Sequence, residues 1–364
     1  MKKRILVTGG AGFIGSHVVR HFVNKYSDYQ IINYDALTYA GNLENLLDIK
    51  DSPNYVFVNG DIRDEERLKQ VFFDYQITDI IHLAAESHVD RSMVNPTVFA
   101  ETNVIGTVNL LNVAREYWKD NYNGHVFLNM GTDEIFGALD NEDEPFNELT
   151  PLNPHSPYST SKTAAVMFGK TYFEAYGIPV INLACGNAIG PNQFPEKLVP
   201  LVLDRLINGG TIPIYGQGEQ KRDWTNVHDI AEAIDLLVHK GTPGELYCIG
   251  GDAQVENRVI VHDLIIELSI QMANGDEDEE ERLQNNFFER IEFIKDPRGK
   301  SHDFRYDINH DKITARLGWK PKYTYNDSLI EVVSWYLNNQ NWVNNIKTGA
   351  YKDWIELYYG KNKN

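Results

Sequence analysis

The sequence Ile5-Leu-Val-Thr-Gly9-Gly-Ala-Gly12-Phe-Ile-Gly15-Ser16 indicates an apolar strand that runs into a glycine turn and then into a helix. Gly9 permits the tight turn, Gly12 lets the backbone approach a pyrophosphate, and Gly15 lets the helix pack closely. The start of the helix adds free backbone N–H groups and the positive end of the helix dipole. The stretch therefore predicts a strand, turn and helix that bind a dinucleotide.

Asp35 extends this prediction to the identity of the dinucleotide. It ends the next apolar run, about 20 residues beyond Gly15. A carboxylate at this position can accept hydrogen bonds from the adenosine ribose, and it would repel a 2′-phosphate, so we expect NAD rather than NADP. Asp61 and Ile62 follow the third predicted strand, where they could contact the adenine; an ordinary loop acid fits the same spacing.

The first half of the chain alternates short apolar runs with longer amphipathic segments. This alternation predicts an α/β fold with a doubly wound parallel Rossmann sheet that is covered by helices on both faces. The predicted strands are residues 5–8, 31–34, 55–59, 80–83, 125–130 and 180–184. The predicted helices are residues 12–25, 64–73, 96–118 and 159–176.

The second half of the chain has a different pattern. A region rich in proline and glycine follows residue 185, and helical segments are predicted at 198–208, 229–239, 261–271 and 326–339. We expect residues 1–184 with about 224–250 to form the Rossmann domain. Residues 185–223 and 251–364 then form a smaller C-terminal α/β domain, which covers the carboxyl ends of the strands, where such sheets bind ligands. Six consecutive acids at 276–281 predict a solvated loop or a helix start.

The composition excludes several classes of protein. The 364 residues include 34 basic and 52 acidic side chains, and the net charge of −18 repels nucleic acids and anionic membrane surfaces. The two cysteines, Cys185 and Cys248, are too few for a disulfide framework or a cysteine metal site. No apolar run approaches a signal-peptide core or the roughly 20 residues of a membrane span. We expect a cytoplasmic protein without a metal and with neither nucleic acid nor membrane as partner.

Tyr158-Ser-Thr-Ser-Lys162 opens a predicted helix directly after Pro157. The i,i+4 spacing places the phenol and the ammonium on one helical face. A tyrosine with a pKa near 10 is a poor base at neutral pH, but a neighbouring ammonium and an oxidised nicotinamide both favour the phenolate. The pair could then remove a proton from a sugar hydroxyl. Together with the glycine turn, it resembles the active-site helix of the extended short-chain dehydrogenase/reductase superfamily.

Thr132, Asp133 and Glu134 follow the strand predicted at 125–130, so they should emerge at the carboxyl end of the sheet. In the superfamily pattern, Thr132 resembles the hydroxyl partner of the catalytic tyrosine. An epimerase or an alcohol dehydrogenase needs only the hydroxyl and the phenol, whereas a dehydratase needs both an acid and a base. Asp133 could protonate a departing hydroxyl while Glu134 removes a carbon-bound proton, if one is protonated and the other ionised.

Over nearly its whole length the chain resembles the dTDP-glucose 4,6-dehydratase family. The strings that carry this resemblance are DALTYAGN at 35–42, HLAAESHVDRS at 82–92, PYSTSK at 157–162, FPEKL at 194–198 and RDW at 222–224. The resemblance implies oxidation of dTDP-glucose at C4, loss of water across C5 and C6, and reduction at C6, with NAD regenerated in each cycle. It also implies a homodimer that forms through helices 96–118 and 159–176.

The resemblance further implies two sets of binding residues. Those for the cofactor are Gly9, Gly12, Phe13, Ile14, Gly15, Asp35, Asp61, Ile62, Leu83, Ala84, Ala85, Tyr158 and Lys162. Those for the sugar nucleotide are Ser87, His88, Asn187, Glu196, Lys197 and Arg222, of which Arg222 is expected to face the diphosphate because a guanidinium pairs well with phosphate oxygens. The chain departs from the family pattern at positions beside these residues: Gly131, Ile135, Phe136, Ala188, Ile189, Cys248 and the segment 296–303.

Two other hypotheses fit the sequence. The first is a dehydratase or a 4-epimerase that acts on UDP-sugars; Asp133 and Glu134 argue against the epimerase, whereas nothing in the sequence separates thymine from uracil. The second is an NAD-binding sensor or scaffold with little or no turnover. The joint presence of Thr132, Asp133, Glu134, Tyr158 and Lys162 argues against the sensor.

Overall fold

The computed structural model describes residues 3–119, 121–299 and 302–347. Within them, twelve strands lie at β1 (Arg4–Thr8), β2 (Gln30–Asp35), β3 (Tyr55–Asn59), β4 (Asp79–His82), β5 (Val126–Met130), β6 (Val180–Cys185), β7 (Asn187–Ile189), β8 (Ile212–Tyr215), β9 (Lys221–Asn226), β10 (Leu246–Ile249), β11 (Gln254–Glu256) and β12 (Ile291–Ile294).

The α-helices of the same ranges are α1 (Phe13–Lys25), α2 (Glu65–Tyr75), α3 (Val89–Val94), α4 (Pro96–Phe99), α5 (Gly106–Trp118), α6 (Pro157–Tyr176), α7 (Leu198–Asn208), α8 (Val227–Lys240), α9 (Asn257–Ala273), α10 (Glu277–Phe288), α11 (Asp311–Leu317), α12 (Tyr325–Asn338) and α13 (Gln340–Ile346). None of these helices has the length and apolar character needed to cross a bilayer.

A parallel sheet of seven strands organises the described residues, in the order β10-β6-β5-β4-β1-β2-β3. Its inner strands are buried on both faces, as expected for a sheet with helices on both sides. The predicted α/β fold is confirmed, and each of the six predicted strands agrees with the structure to within one residue at either end. The seventh strand, β10, comes from much later in the chain and pairs with β6 at the edge.

The helix predicted at 96–118 contains an interruption. Residues Ala100–Ile105 form a π turn between α4 and α5, so the segment is not one regular α-helix. The π turn carries Asn103, whose amide accepts a hydrogen bond from Glu86 N and donates to Glu86 O, both at 2.9 Å. Asn103 Nδ2 also lies 2.9 Å from Ser161 Oγ on α6. The turn thus ties this helix to the loop after β4 and to α6, the helix that bears Tyr158.

The second half of the chain contributes smaller sheets and its own core. Strands β11, β9 and β7 form one sheet, and β12 pairs with β8. An apolar core lies among α7, α9 and α12. The acidic run at 276–281 starts a helix: Asp276 caps α10 by accepting a hydrogen bond from Glu279 N, and the acids that follow favour the positive end of the helix dipole.

The two-domain division stays a prediction. Its outer residues, 1–2 and 348–364, lie outside the described residues. Ile313 and Trp319 belong to the predicted second domain, yet they pack into the apolar core that β1, β5 and β6 form with α1 and α8. Residues 311–319 therefore cover one edge of the large sheet next to β10.

Candidate active site

A single cavity of about 460 Å³ brings the predicted residues together. Every residue assigned above to chemistry, to the cofactor or to the sugar nucleotide lines it. The cavity opens at the carboxyl ends of β1, β2, β4 and β5, because Gly9, Asp35, Leu83 and Gly131 directly follow or end these strands. This is the position at which parallel α/β sheets bind their ligands.

The glycine turn forms one wall of the cavity. Gly9 has a φ of +71°, and a Cβ there would lie 2.7 Å from the backbone of Ala84. A Cβ on Gly15 would lie 2.0 Å from Gly9 O, so α1 packs directly against the turn. A Cβ on Gly12 would approach only Gly9 O, at 3.3 Å. The turn therefore packs tightly against the rest of the protein at Gly9 and Gly15 and leaves space beside Gly12, as the binding of a pyrophosphate requires.

Asp35 is held at the end of β2 by backbone donors. Its Oδ2 accepts a hydrogen bond from Ala11 N at 2.9 Å, and its Oδ1 accepts one from Leu37 N at 2.8 Å. Burial raises the pKa of Asp35, and these two hydrogen bonds oppose that rise. Each carboxylate oxygen retains a second acceptor position, which suits a pair of ribose hydroxyls.

Asp61 is engaged within the protein. It accepts hydrogen bonds from the Arg63 backbone at 2.8 Å and from Arg63 Nη2 at 2.7 Å. Burial acts to raise the pKa of Asp61, but the contacts with Arg63 outweigh it and lower the pKa overall. Asp61 thus serves as a loop acid and lines the cavity at the same time, and its contact with the adenine stays a prediction.

Tyr158 and Lys162 occupy the first turns of α6, as the sequence predicts. Ser156 caps this helix together with Ser159, and Pro157 occupies its first position, which fixes where α6 begins. Burial lowers the pKa of Lys162 to about 8. The ammonium forms no hydrogen bond or ion pair with another described residue, so its donors remain available to a ligand in the cavity.

The side chains around Tyr158 do not by themselves favour its ionisation to a phenolate. Burial raises its pKa above the usual value, and the neighbouring carboxyls of Glu134 and Asp133 raise it further. A hydrogen bond with Thr132 lowers the pKa but does not reverse the shift. The positive charge that oxidised nicotinamide would bring to the cavity is the remaining factor that favours the phenolate.

Asp133 lies in surroundings that favour its neutral form. It starts a short 3₁₀ turn, Asp133–Phe136, and accepts a hydrogen bond from Thr132 Oγ1 at 3.1 Å. Its Oδ2 is buried and has no hydrogen-bond partner among the described residues. Burial and the adjacent Glu134 raise the pKa of Asp133 to about 8, so the group holds its proton at neutral pH.

Glu134 is less completely buried than Asp133 and has different neighbours. Burial raises its pKa, and the cations Arg298, Arg222 and Lys197 oppose the rise. These charges favour an ionised Glu134 beside a protonated Asp133. Adjacent carboxyls whose surroundings separate their protonation states can act as an acid and a base in one site.

The residues predicted to hold the sugar nucleotide approach from the segments before α3 and α7. Lys197 Nζ donates to Ser87 O at 2.7 Å, which joins the two segments. Glu196 is buried, and burial raises its pKa to about 7 against the opposing charge of Lys197. His88 caps α3 and is neutral, because burial holds its pKa well below the usual value.

Arg222 is fixed more firmly than the sequence suggests. Its guanidinium donates to Lys221 O at 2.7 Å and to Asp303 O at 2.9 Å, and it lies over the ring of Tyr306 at 4.2 Å. Its charge lowers the pKa of both carboxyls, Asp133 and Glu134. The expectation that Arg222 faces the diphosphate stays a prediction, as does the role of Asn187 in β7.

Sequence reasoning missed a further cation in the cavity, Arg298. Arg298 Nε forms an ion pair with Asp90, whose other oxygen accepts a hydrogen bond from Tyr215 OH at 3.1 Å. Arg298 also lies 5.6 Å from the centre of the Tyr215 ring. Its segment, 296–303, was noted only as a departure from the family pattern, and residues 300 and 301 of it lie outside the described residues.

The structure explains one departure, Gly131. A Cβ there would lie 3.0 Å from Leu183 O and 3.1 Å from Val166 Cγ2, so a larger residue would need its neighbours to move. Cys248 is buried at the end of β10, where its backbone N–H donates to Glu148 Oε1 at 2.8 Å. Its thiol does not line the cavity.

Known proteins resemble this chain along most of its length. A family model described as GDP-mannose 4,6 dehydratase matches residues 6–332. The dTDP-glucose 4,6-dehydratase of Salmonella typhimurium is 44% identical over 98% of this chain and 99% of that protein. The dTDP-glucose 4,6-dehydratase 1 of Escherichia coli is 43% identical with the same coverage.

Solved structures give the same result. The dTDP-glucose 4,6-dehydratase of Bacillus anthracis in complex with NAD superposes with a TM-score of 0.80 at 40% identity, covering 95% of this chain and 100% of that one. DesIV, the dTDP-glucose 4,6-dehydratase of Streptomyces venezuelae with NAD and TYD bound, superposes with a TM-score of 0.84 at 37% identity. It covers 94% of this chain and 100% of that one.

Proposed function

The chain belongs to the dTDP-glucose 4,6-dehydratase family, and from this premise we propose that it converts dTDP-glucose to dTDP-4-keto-6-deoxyglucose with NAD as its resident cofactor. The observation that carries the proposal is the pair Asp133 and Glu134, which line one cavity with Tyr158 and lie in surroundings that separate their protonation states. A 4-epimerase has no use for such a pair. The reaction belongs in the cytoplasm, which the two free, buried cysteines support.

The glycine turn around Gly12 would hold the pyrophosphate of NAD, and Asp35 would accept the ribose hydroxyls. Lys162, with its free donors in the cavity, would bind on the nicotinamide side. When bound, NAD supplies a hydride acceptor for C4 of the sugar and, once reduced, the hydride for C6. The residues that surround it supply the proton transfers.

The first proton transfer belongs to Tyr158. As phenolate, Tyr158 removes the proton of the 4-hydroxyl while Thr132 holds the phenol oxygen through a hydrogen bond. Oxidation at C4 yields a ketone, which acidifies the neighbouring C5 proton. That acidification makes the next step possible for a carboxylate.

The second stage belongs to the two carboxyls. Ionised Glu134 removes the C5 proton, and protonated Asp133 gives its proton to the 6-hydroxyl, which leaves as water. Lys197, Arg222 and Arg298 lie near Glu134 and would hold the anionic diphosphate sugar against it. The double bond between C5 and C6 is then reduced at C6, and the proton that C5 regains can come from Glu134.

One experiment separates the candidate functions. The protein is incubated with dTDP-glucose, and the mass of the product is determined by mass spectrometry. The absorbance of a 4-keto sugar in alkali is followed in parallel. Loss of one water with rising absorbance is expected. Isomerisation without a change of mass would indicate an epimerase, and binding without change would indicate a sensor. UDP-glucose in a parallel reaction tests the choice between thymine and uracil.

Asp35→Ala is expected to weaken NAD binding roughly tenfold to a hundredfold, because hydrogen bonds to a charged group contribute about 1.5–3 kcal/mol. The gap in affinity between NAD and NADP should narrow, since the repulsion of the 2′-phosphate is lost. Binding is measured by titration calorimetry with both cofactors. Asp35→Asn is the comparison variant, because it keeps the size of the side chain and one acceptor oxygen while it removes the charge and the second acceptor. Tighter binding of NADP than of NAD by the unmodified protein would contradict this assignment.

The proposal includes a homodimer through the segment 96–118 and α6. Ile105, Met167 and Phe168 are exposed apolar side chains on these helices, so the predicted apolar faces are not consumed inside the chain. Ile105→Glu combined with Met167→Glu is expected to convert dimer to monomer at micromolar concentration in sedimentation velocity. Ile330→Glu, at an exposed position on α12, is the control and should leave the dimer intact. An unmodified protein that sediments only as a monomer would contradict the dimer.

A further inference from the structure

Two segments that line the cavity are hydrogen-bonded to each other. The first is residues 36–46, which follow Asp35 and which we call the strap. The second is residues 191–197, which lead into α7 and which we call the facing segment. Both line the cavity: Thr38, Ala40 and Gly41 belong to the strap, and Phe194 and Glu196 belong to the facing segment.

Tyr39 makes the bond at one end of the strap. Its hydroxyl donates to Glu196 Oε1 at 2.9 Å. Its ring meets the ring of Phe194 edge-on, with centroids 5.5 Å apart, and the guanidinium of Arg91 lies over the ring at 3.8 Å. Burial and the charge of Glu196 keep the pKa of Tyr39 well above its usual value, so the hydroxyl remains a donor. Three contacts, two from the facing segment and one from α3, therefore fix one side chain.

Asn45 makes the bond at the other end. Its Nδ2 donates to Ala11 O in the glycine turn at 2.9 Å, and its Oδ1 accepts from Asn192 Nδ2 at 3.2 Å. Trp342 Nε1 donates to the same Oδ1 at 2.8 Å. The strap is thus anchored to both the glycine turn and the facing segment.

Between these two bonds the strap folds back onto Asp35. A Cβ on Gly41 would lie only 2.7 Å from Asp35 Oδ1, so the strap passes directly beside the carboxylate assigned to the ribose. Both ends of the strap are hydrogen-bonded to the facing segment. Between them, Ala40 and Gly41 line the cavity. A dinucleotide held at Gly12 and Asp35 would therefore lie beside a segment that is hydrogen-bonded to the facing segment at both ends.

We propose that Tyr39 is a positioning residue that fastens the strap to Glu196 and thereby slows the release of NAD. The inference rests on the NAD binding of the proposed function and adds a kinetic role that the reaction itself does not require. An enzyme that regenerates its cofactor in every cycle gains from slow release, because losing the reduced cofactor after the first step would strand the 4-keto sugar. Tyr39 does not line the cavity itself, so its effect passes through the strap.

Tyr39→Phe tests the inference, because it keeps the ring contacts and removes the hydroxyl. Holoprotein loaded with radiolabelled NAD is chased with excess unlabelled NAD, and the release rate is measured by rapid filtration. Release is expected to be about tenfold faster, the order of effect of losing one buried side-chain hydrogen bond. Single-turnover oxidation at C4 by protein that still holds NAD should keep its rate, a separation that general damage to the fold would not produce.

Tyr325→Phe is the matched control. Its hydroxyl donates to Asp263 Oδ2 at 2.9 Å, also a carboxylate, and it lies outside the cavity. Its release rate should equal that of the unmodified protein. If Tyr39→Phe is poorly folded by thermal melting, Arg91→Met removes the stacked guanidinium instead and is expected to speed release several-fold.

Two results would overturn the inference, and they are distinguishable. A folded Tyr39→Phe that releases NAD at the rate of the unmodified protein, while the unmodified protein dehydrates dTDP-glucose, refutes the role of Tyr39 alone. An unmodified protein that fails to bind NAD refutes both this role and the proposed function.

Discussion

Glu134→Gln is expected to leave the protein loaded with reduced cofactor after it meets dTDP-glucose. Tyr158, Thr132 and Lys162 are unchanged in this variant, so oxidation at C4 should still occur. The glutamine amide cannot accept the C5 proton, so elimination stops at that point. Turnover should fall by about two to four orders of magnitude, the usual effect of removing one general base. The absorbance of reduced nicotinamide in a single turnover measures the accumulation.

Two further measurements make the assignment of Glu134 specific. In deuterated water the unmodified protein should place deuterium at C5, and Glu134→Gln should not. Tyr158→Phe is the control, since it should lose the first oxidation and accumulate no reduced cofactor. If Glu134→Gln, Asp133→Asn and Tyr158→Phe all lose that oxidation equally, the three residues shape the cavity and do not divide the chemistry as assigned.

Asp133→Asn is expected to slow the loss of water by about two to four orders of magnitude while sparing the oxidation at C4. The reason is that hydroxide is a poor leaving group unless it is protonated as it departs. A substrate with fluorine at C6 needs little such help, so the same substitution should cost far less with it. The test is the loss of rate that Asp133→Asn causes with dTDP-glucose compared with its loss of rate with the 6-fluoro substrate. Both are measured by rapid-quench mass spectrometry. An equal loss with both substrates would contradict the acid role.

The pKa of Asp133 adds a dependence on pH. Because burial raises that pKa to about 8, the acid is protonated below this pH, and the rate of water loss should fall as the pH rises through about 8. The unfolded chain ionises Asp133 near the ordinary pKa of about 4, whereas the folded protein ionises it only near 8, so the folded protein loses stability as the pH rises between these two values. Asp133→Asn should therefore stabilise the protein more at pH 8.5 than at pH 5, by up to about 4 kcal/mol, because about three pH units of this range lie above pH 5. An equal gain at both pH values, measured by urea unfolding, would contradict a buried acid.

Much of the fold was predictable because its signals are local. The strand and glycine turn at residues 5–16, and the alternating runs after them, each occupy one continuous stretch of sequence. Strand β10 escaped prediction because Leu246–Ile249 is short and its partner β6 lies far earlier in the chain. The π turn at Ala100–Ile105 escaped because its residues suit an α-helix, and only its contacts with Glu86 and Ser161 favour the wider turn.

The same distinction between local and distant signals applies to the candidate site. Residues within short motifs, such as Thr132 to Glu134 and Tyr158 to Lys162, could be named from the sequence and lie in one cavity. Their roles stay predictions until the variants are measured. Arg298 could not be found this way, because its partner Asp90 is 208 residues away and only the fold brings them together. The hydrogen bond between Tyr39 and Glu196 joins residues 157 positions apart, so it could not be predicted from the sequence either.

The π turn has a consequence for how this chain can change in length. A π turn holds one residue more than the α-helical turn it replaces, and each residue advances an α-helix by about 100°. Deleting one residue from 100–105 would restore regular helix upstream of α5 while rotating Asn103 away from Glu86 and Ser161. The side chain of Ile105 is exposed in the monomer, so we expect the monomer fold to tolerate substitutions at exposed positions of this kind. The segment should therefore accept substitutions far more readily than single-residue deletions, and its length is as much a determinant of the active site as any side chain in it.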